Sequence, residues 1–205
     1  MRSEEAARPI ARVCLFCGAN AGARPSYASA ARALGALLAR EGLTLVYGGG
    51  SVGLMHEAAE AALAGGGGVI GVITQELMAR EVGHAGLTEL HVVETMHARK
   101  TMMASLADAF VALPGGYGTL DELCEMLTWN QLGIHAKPCV LVNTDGFFDG
   151  LVAQLARAVD DRMLRPENRA LLAVAEDPDE ALTIMRRWRA PPPAAKWLRE
   201  PVPQP

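Results

Sequence analysis

Long apolar runs, basic clusters and abundant cysteine are all missing from this sequence, and each absence removes a class of function. No apolar stretch approaches the ~20 residues that span a bilayer, and the opening MRSEEAARPI has two acids and no hydrophobic signal core. The expectation is a soluble, cytoplasmic protein that does not enter a membrane. No Lys/Arg run exceeds Arg186-Arg187, and the formal net charge is -4 with a pI near 5.7. Such a chain lacks the phosphate-neutralising stripe that a nucleic-acid polymer requires. Only four of the 205 residues are cysteine. Cys14 and Cys17 share the run RVCLFCG, where a spacing of three along a strand sends side chains to opposite faces. They are therefore read as buried thiols in a reducing compartment, not as a redox or zinc pair.

What is there is half hydrophobic and one-fifth charged, which suits one compact domain with a large core. Short β-rich runs alternate with helical stretches: RVCLFC, LTLVY, VIGVI, ELHVVE, AFVAL, PCVLVN and LLAVAE. This alternation predicts an α/β fold, a single Rossmann-like doubly wound parallel sheet with helices on both faces. Helices are expected over residues 26–40, 52–64, 96–107, 119–132, 148–163 and 178–188. Residues 1–11 are read as a flexible N-terminus and 12–189 as the folded domain. Residues 190–205 form a tail whose six prolines forbid a helix or inner strand.

Three predicted strands end in glycine turns, CGANAG, YGGGSVG and LPGGYGT. In an open parallel sheet the crevice beyond the strands' carboxyl ends takes the ligand. Glycines admit close approach of a ligand to the backbone, and the following helix aims free N–H groups at an anion. Gly18, Gly49, Gly50 and Met55 are accordingly candidate substrate-lining residues. GGGSVG also fits G-x-G-x-x-G at Gly48, Gly50 and Gly53, with Glu76 a little over twenty positions on, which is the form of a dinucleotide site. It follows the second strand, whereas that fingerprint belongs after the first. A tight turn with close helix packing is the commoner reading of such a pattern.

In PGGYGTLDE, Thr119-x-x-Glu122 has the form of a capping box, which would make Glu122 a helix-end device. Against this, two carboxylates beside an anion cradle oppose phosphate binding unless one of them faces a reacting centre. In ETMHARKTMMASLADAF, Arg99 falls among Met96, Met103 and Leu106 on the apolar side, with Lys100 at its edge. A cation in a core-facing stripe must find an anion or snorkel to water. Glu122 or another acid is the expected partner. His56 and His97 are read as packed or solvated. The helix at 119–132 carries Leu120, Leu123 and Leu127 on one side and Met126 and Trp129 on the other. One side could face the sheet and the other a second copy of the chain, although cover by the C-terminal helix would give the same pattern.

The segments YGGGSVGLM, LMARE, MHARK and PGGYGTLDE, followed by TWNQLGIHAKP and VLVNTDGFFDGL, resemble the Lonely Guy (LOG) family of cytokinin riboside 5'-monophosphate phosphoribohydrolases. The likeness runs from about Arg12 to about Asp177. It implies a Rossmann-like homodimer that hydrolyses the N-glycosidic bond of adenine-type nucleoside monophosphates, with no cofactor and no metal. Similar sequences also carry a lysine decarboxylase label, but no pyridoxal phosphate site is recognisable here. By resemblance, Arg99 and Glu122 match the catalytic pair. Lys100, Gly115, Gly116, Tyr117, Gly118, Thr119 and Asp121 match the nucleotide-contacting segment, and Glu81 and Thr128 match further substrate contacts. Two positions depart from the family's pattern: His56 follows Met55 where relatives read glycine, and Ala19 replaces a serine. A non-catalytic nucleotide or cofactor carrier and an NAD-dependent enzyme are the alternatives.

Overall fold

The computed structural model describes residues 9–81, 83–84 and 86–191. The predicted N-terminal arm and proline-rich tail lie almost entirely outside the described residues. All seven predicted strands form: β1 (Arg12–Phe16), β2 (Thr44–Tyr47), β3 (Val69–Thr74), β4 (Glu89–Val93), β5 (Ala109–Ala112), β6 (Cys139–Val142) and β7 (Leu172–Ala175). They make one parallel sheet in the order β4-β3-β2-β1-β5-β6-β7. The chain winds outward from β1 to β4, then returns to the other side of β1 and winds outward again. This reversal puts a crevice between the carboxyl ends of β1 and β5.

The helices are α1 (Pro25–Arg40), α2 (Gly53–Ala64), α3 (Gln75–Glu81), α4 (Met96–Leu106), α5 (Tyr117–Gln131), α6 (Asp149–Asp160), α7 (Pro166–Arg169) and α8 (Pro178–Arg187). Strand alternation divides the core into two layers. Val13, Leu15, Cys17, Val111 and Leu113 point into one, with Leu34 and Leu38 of α1, Leu54 of α2 and Met185 of α8. Cys14, Phe16, Phe110 and Ala112 point into the other, with Met103 of α4, Leu123 and Met126 of α5, and Leu151 and Leu155 of α6. The opposite-face reading of Cys14 and Cys17 therefore holds. Both thiols, and that of Cys139, are free and buried, whereas Cys124 is exposed.

Sequence reasoning missed α3 and α7. α3 is only seven residues long, and its start is held by Thr74, whose hydroxyl accepts from Leu77 N at 3.2 Å. α7 is a single turn opened by Pro166. One correction concerns α5. Its apolar residues form a single broad face: Leu123 and Met126 are buried, and Leu120, Leu127 and Trp129 pack against the same core layer. α8 packs in the opposite layer, so it does not cover α5. The stripe that α5 turns outward carries Tyr117, Asp121, Cys124, Thr128 and, just past its end, Leu132.

Candidate active site

A cavity of about 460 Å³ opens over the β1/β5 crevice, lined by all three glycine turns' neighbourhoods. The β1 turn supplies residues Cys17 to Gly22, α2 supplies Leu54 and Met55, and the β5 turn supplies Pro114 to Gly116. Gly118, Thr119 and Glu122 line it from α5, Arg99 from α4 and Leu77 from α3. The turns are stitched to one another, since Gly18 N donates to Pro114 O at 3.0 Å and Leu54 N donates to Gly18 O at 3.0 Å. Gly53 has φ +60°, and a Cβ there would strike the backbone of Ala19. α2 thus begins against the β1 turn, and its G-x-G-x-x-G glycines serve internal packing. Glu76, the acid that a dinucleotide site would aim at a ribose, is instead exposed and paired with Arg80 at 2.6 Å.

Among the described residues the buried charged side chains are Arg99, Lys100 and Glu122. α4 is capped by Thr95, whose hydroxyl accepts from Ala98 N at 3.1 Å, and this fixes the turn from which Arg99 projects. Its guanidinium is held by three elements. Nε donates to Val72 O of β3 at 2.9 Å, Nη2 to Gly48 O at 3.1 Å and Nη1 to Glu122 Oε1 at 3.3 Å. A side chain at position 48 would occupy the place of the guanidinium, so Gly48 is a glycine for the sake of Arg99. The planar, permanently charged fork suits three acceptors that diverge in this way.

Glu122 is the corresponding acid, and the capping box does not form. α5 starts at Tyr117 with Gly116 at its N-cap and no side-chain cap. Thr119 therefore lies inside the first turn, buried, with its hydroxyl packed so close to Gly115 that a Cβ there would clash. Leu120 N is the first intrahelical donor, to Gly116 O at 3.1 Å. The N–H groups ahead of it point past the helix's start, beside the exposed Gly116 and Gly118. Burial pushes the Glu122 carboxyl up to about 7, Arg99 pulling it down and Asp121 adding to the rise. Such a group exchanges its proton near neutrality, as a general base needs to. The neighbouring Cys17 thiol is pushed well up by burial and by Glu122, so it stays a neutral thiol.

The remaining expected contacts divide. Gly18, Met55, Gly115, Gly116, Gly118 and Thr119 line the cavity. Gly49 and Gly50 are buried in the turn behind it. Lys100 is buried on α4 but is bound to Asp121 Oδ2 and Glu125 Oε2, each at 3.0 Å. Burial works against its charge, and these two carboxylates outweigh it and raise its pKa. Tyr117 is 94% exposed. Tyr117, Asp121 and Thr128 lie on the outward stripe of α5, away from the cavity wall. Glu81 closes α3, and its side chain lies outside the described residues. Sequence reasoning missed Asn20, Leu77 and an aromatic lip, Tyr27 edge-on to Phe147 with ring centroids 5.5 Å apart. The lip's two rings come from segments 120 positions apart, and only the sheet order brings them together.

A family model described as "Possible lysine decarboxylase" matches residues 55–185. Pyridoxal-dependent decarboxylation needs a lysine whose neutral amine can reach the cofactor. No lysine lines the cavity among the described residues, and Lys100 is held as a cation, so these residues do not fit that cofactor. The chain is similar to solved structures of the molybdenum cofactor binding protein from Rippkaea orientalis (25% identity, TM-score 0.65, 85% of this chain and 94% of that one). It is similar also to the Moco carrier protein from Chlamydomonas reinhardtii (24%, TM-score 0.65, 86% and 95%), a likeness of fold alone. Sequence relatives are much nearer. The cytokinin riboside 5'-monophosphate phosphoribohydrolase LOG7 of Arabidopsis thaliana is 47% identical over 185 residues, covering 90% of this chain and 85% of that one. The enzyme of the same name from Rhodococcoides fascians is 46% identical over 182 residues, covering 88% and 92%. With identity at this level over nearly the whole of each protein, the chain belongs to the Lonely Guy family of cytokinin riboside 5'-monophosphate phosphoribohydrolases.

Proposed function

We propose that this protein hydrolyses the N-glycosidic bond of adenosine 5'-monophosphates, N6-substituted ones above all, to release the free base and ribose 5-phosphate. The observation that carries the reading is the buried Arg99–Glu122 pair lining a cavity beside an uncapped helix start. The amides from Gly115 to Thr119 hold the 5'-phosphate, favoured by the helix dipole and unobstructed at Gly116 and Gly118, where a Cβ would meet nothing within 4 Å. That anchor sets the ribose beside Glu122. As the C1'–N9 bond breaks, its electron pair leaves with the base and positive charge grows on the ribose ring, which the Glu122 carboxylate stabilises. Water adds its oxygen to C1' and Glu122 takes the proton that this water loses. The departing base takes up one proton from solvent and Glu122 returns one to solvent, so the sum is one water consumed per free base and ribose 5-phosphate. Arg99 keeps the carboxylate in register. The apolar wall of Leu54, Met55, Leu77, Tyr27 and Phe147 receives the flat base and its N6 substituent.

The protein acts as a homodimer in the cytoplasm on this reading. The outward stripe of α5 carries three residues, Tyr117, Asp121 and Thr128, that the family resemblance assigns to the nucleotide, and a second copy packed on that stripe would enclose them. Free, buried thiols suit a reducing compartment. Among the described residues no helix is long and apolar enough to cross a membrane.

The test is incubation with a panel of adenosine and N6-isopentenyladenosine monophosphates, the matching nucleosides and the triphosphates, with free base followed by chromatography. Base is expected from the monophosphates and not from the nucleosides. Equal release from nucleosides would remove the phosphate anchor. Tight binding with recovery of the intact nucleotide would instead mark a binding or carrier protein, as the names of the two structural neighbours describe those proteins for the molybdenum cofactor.

A further inference from the structure

Sequence reasoning assigns no metal to this chain and treats His56 as a packed or solvated residue. The fold gives it company. His56 and Glu60 are one turn apart on α2 and so share a face, and the segment after α3 brings His84 against them. His84 Nε2 lies 3.0 Å from Glu60 Oε1, and the two imidazole rings have centroids 5.5 Å apart. One ligand atom from each of the three lies within 4.8 Å of the others. From these positions we infer a binding site for one divalent transition-metal ion, zinc foremost, coordinated by His56, Glu60 and His84.

Three features carry this beyond proximity. The donor set, two imidazoles and a carboxylate, is one that zinc takes with three protein ligands and an open fourth position. Ligands of a tetrahedral zinc ion at ~2.0–2.1 Å stand roughly 3.3 Å apart. Closing the present triangle, whose atoms lie within 4.8 Å of one another, onto a metal therefore asks for contractions of roughly 1.5 Å or less. Second, the two sides of the site are held by the fold. His84 is buried, its side chain 4% exposed, and its backbone N–H donates to Gly49 O at 3.4 Å, while His56 and Glu60 stand on a continuous helix. Third, Nδ1 of His56 is buried and has no hydrogen-bond partner among the described residues. A buried ring nitrogen left in that state costs free energy that a ligated or metal-oriented imidazole does not incur. The exposed carboxylate of Glu60 leaves a way in for the ion.

None of the three residues lines the cavity, so the metal takes no part in bond cleavage. Its effect is to fasten the segment after α3 to α2 and, through Gly49, to the β2 turn whose Gly48 carbonyl holds Arg99. The site therefore couples metal supply to the rigidity of the arginine's surroundings.

Untagged protein stripped with a chelator and titrated calorimetrically with Zn²⁺ is expected to bind one equivalent. Co²⁺ in its place should give the intense visible absorption of a tetrahedral site, and zinc should raise the thermal midpoint in a concentration-dependent way. His56→Ala and Glu60→Gln lie away from the core, so they should keep the far-UV dichroism of the parent. Each is expected to weaken zinc binding by about 10–100-fold, and the double variant to abolish the cobalt bands. Zinc binding equally tight in the double variant overturns the assignment, as does a parent protein that binds no zinc below millimolar concentration. Neither readout depends on the hydrolase reaction, so the metal site and the enzymatic reading fail separately.

Discussion

On the proposed reading Glu122 is the residue on which chemistry turns, because this carboxylate is both desolvated and paired. Its ordinary titration lies near 4.5, and burial carries it to about 7. In the proposed reaction the charged form is the one that steadies a cationic sugar and accepts a proton from water, so activity is expected to be lost as pH falls through about 7. kcat/KM of the parent should therefore rise with pH through that region. Glu122→Gln keeps the volume and one acceptor for Arg99 but cannot ionise; kcat is expected to fall by about 10²–10⁴-fold and the acid limb to vanish. A full-rate glutamine variant would show that the carboxylate is not the base. The same shift bears on stability with the opposite slope. Between about 4.5 and 7 the folded state holds a proton that the unfolded chain has released, so this group's contribution to stability is present at low pH and lost as pH rises. The urea midpoint of the parent, relative to Glu122→Gln, should accordingly decline from pH 5 to pH 8. Arg99 is tested by lysine. One ammonium cannot serve Val72 O, Gly48 O and Glu122 together, so Arg99→Lys leaves a buried acceptor unmet. The expected loss is about 1–3 kcal/mol in urea unfolding, with activity reduced as well.

At the scale of elements, the turns do different work although all are glycine-rich. Gly53 sits at φ +60° with Ala19 backbone in the path of any Cβ, whereas Gly118 is helical and open. Gly53→Ala is expected to cost about 1–3 kcal/mol, seen in denaturant unfolding, because strain and collision have no outlet. Gly118→Ala should leave the fold as stable as the parent or stabilise it by up to ~1 kcal/mol, since glycine is a poor helix former. Gly118 lines the cavity, so the expected change is a raised KM for the monophosphate with little change in Tm. This contrast also shows what could be read without coordinates. Seven strands and six helices were legible because apolar runs and glycine breaks repeat along a parallel sheet. Arg99 was legible because a charge inside an apolar stripe demands a partner. Thr119-x-x-Glu122 has the spacing of a capping box, the structural alternative for Glu122, but the tight Pro114-Gly115-Gly116 turn starts α5 two residues sooner than expected and presses the Thr119 hydroxyl against Gly115. Short α3 and the Tyr27/Phe147 lip depend on crossovers and sheet order, which local pattern does not encode.

On the scale of the whole molecule, the question is why α5 turns Tyr117 outward at 94% exposure and is followed by Leu132, 66% exposed, and Ile134, 64% exposed. An exposed aromatic ring at the start of the stripe and two exposed aliphatic side chains just past its end, with Asp121, Cys124 and Thr128 between them, leave a surface that a second copy can cover, and a two-fold dimer presents the same stripe from both sides. α8 packs in the other layer and cannot cover it. If the dimer forms here, Tyr117, Asp121 and Thr128 are brought under a neighbour, next to the first turn proposed to hold the phosphate. Sedimentation equilibrium is then expected to give twice the chain mass of 21.7 kDa. Leu132→Glu with Ile134→Glu introduces like charges where the two copies would meet, outside the cavity and at the far end of α5 from Glu122. The double variant should sediment as a folded monomer with an unchanged far-UV spectrum and a KM for the monophosphate raised several-fold. A parent that sediments at the single-chain mass would refute the dimer. A monomeric variant with the parental KM would refute the narrower point, that substrate binding is completed by the second copy.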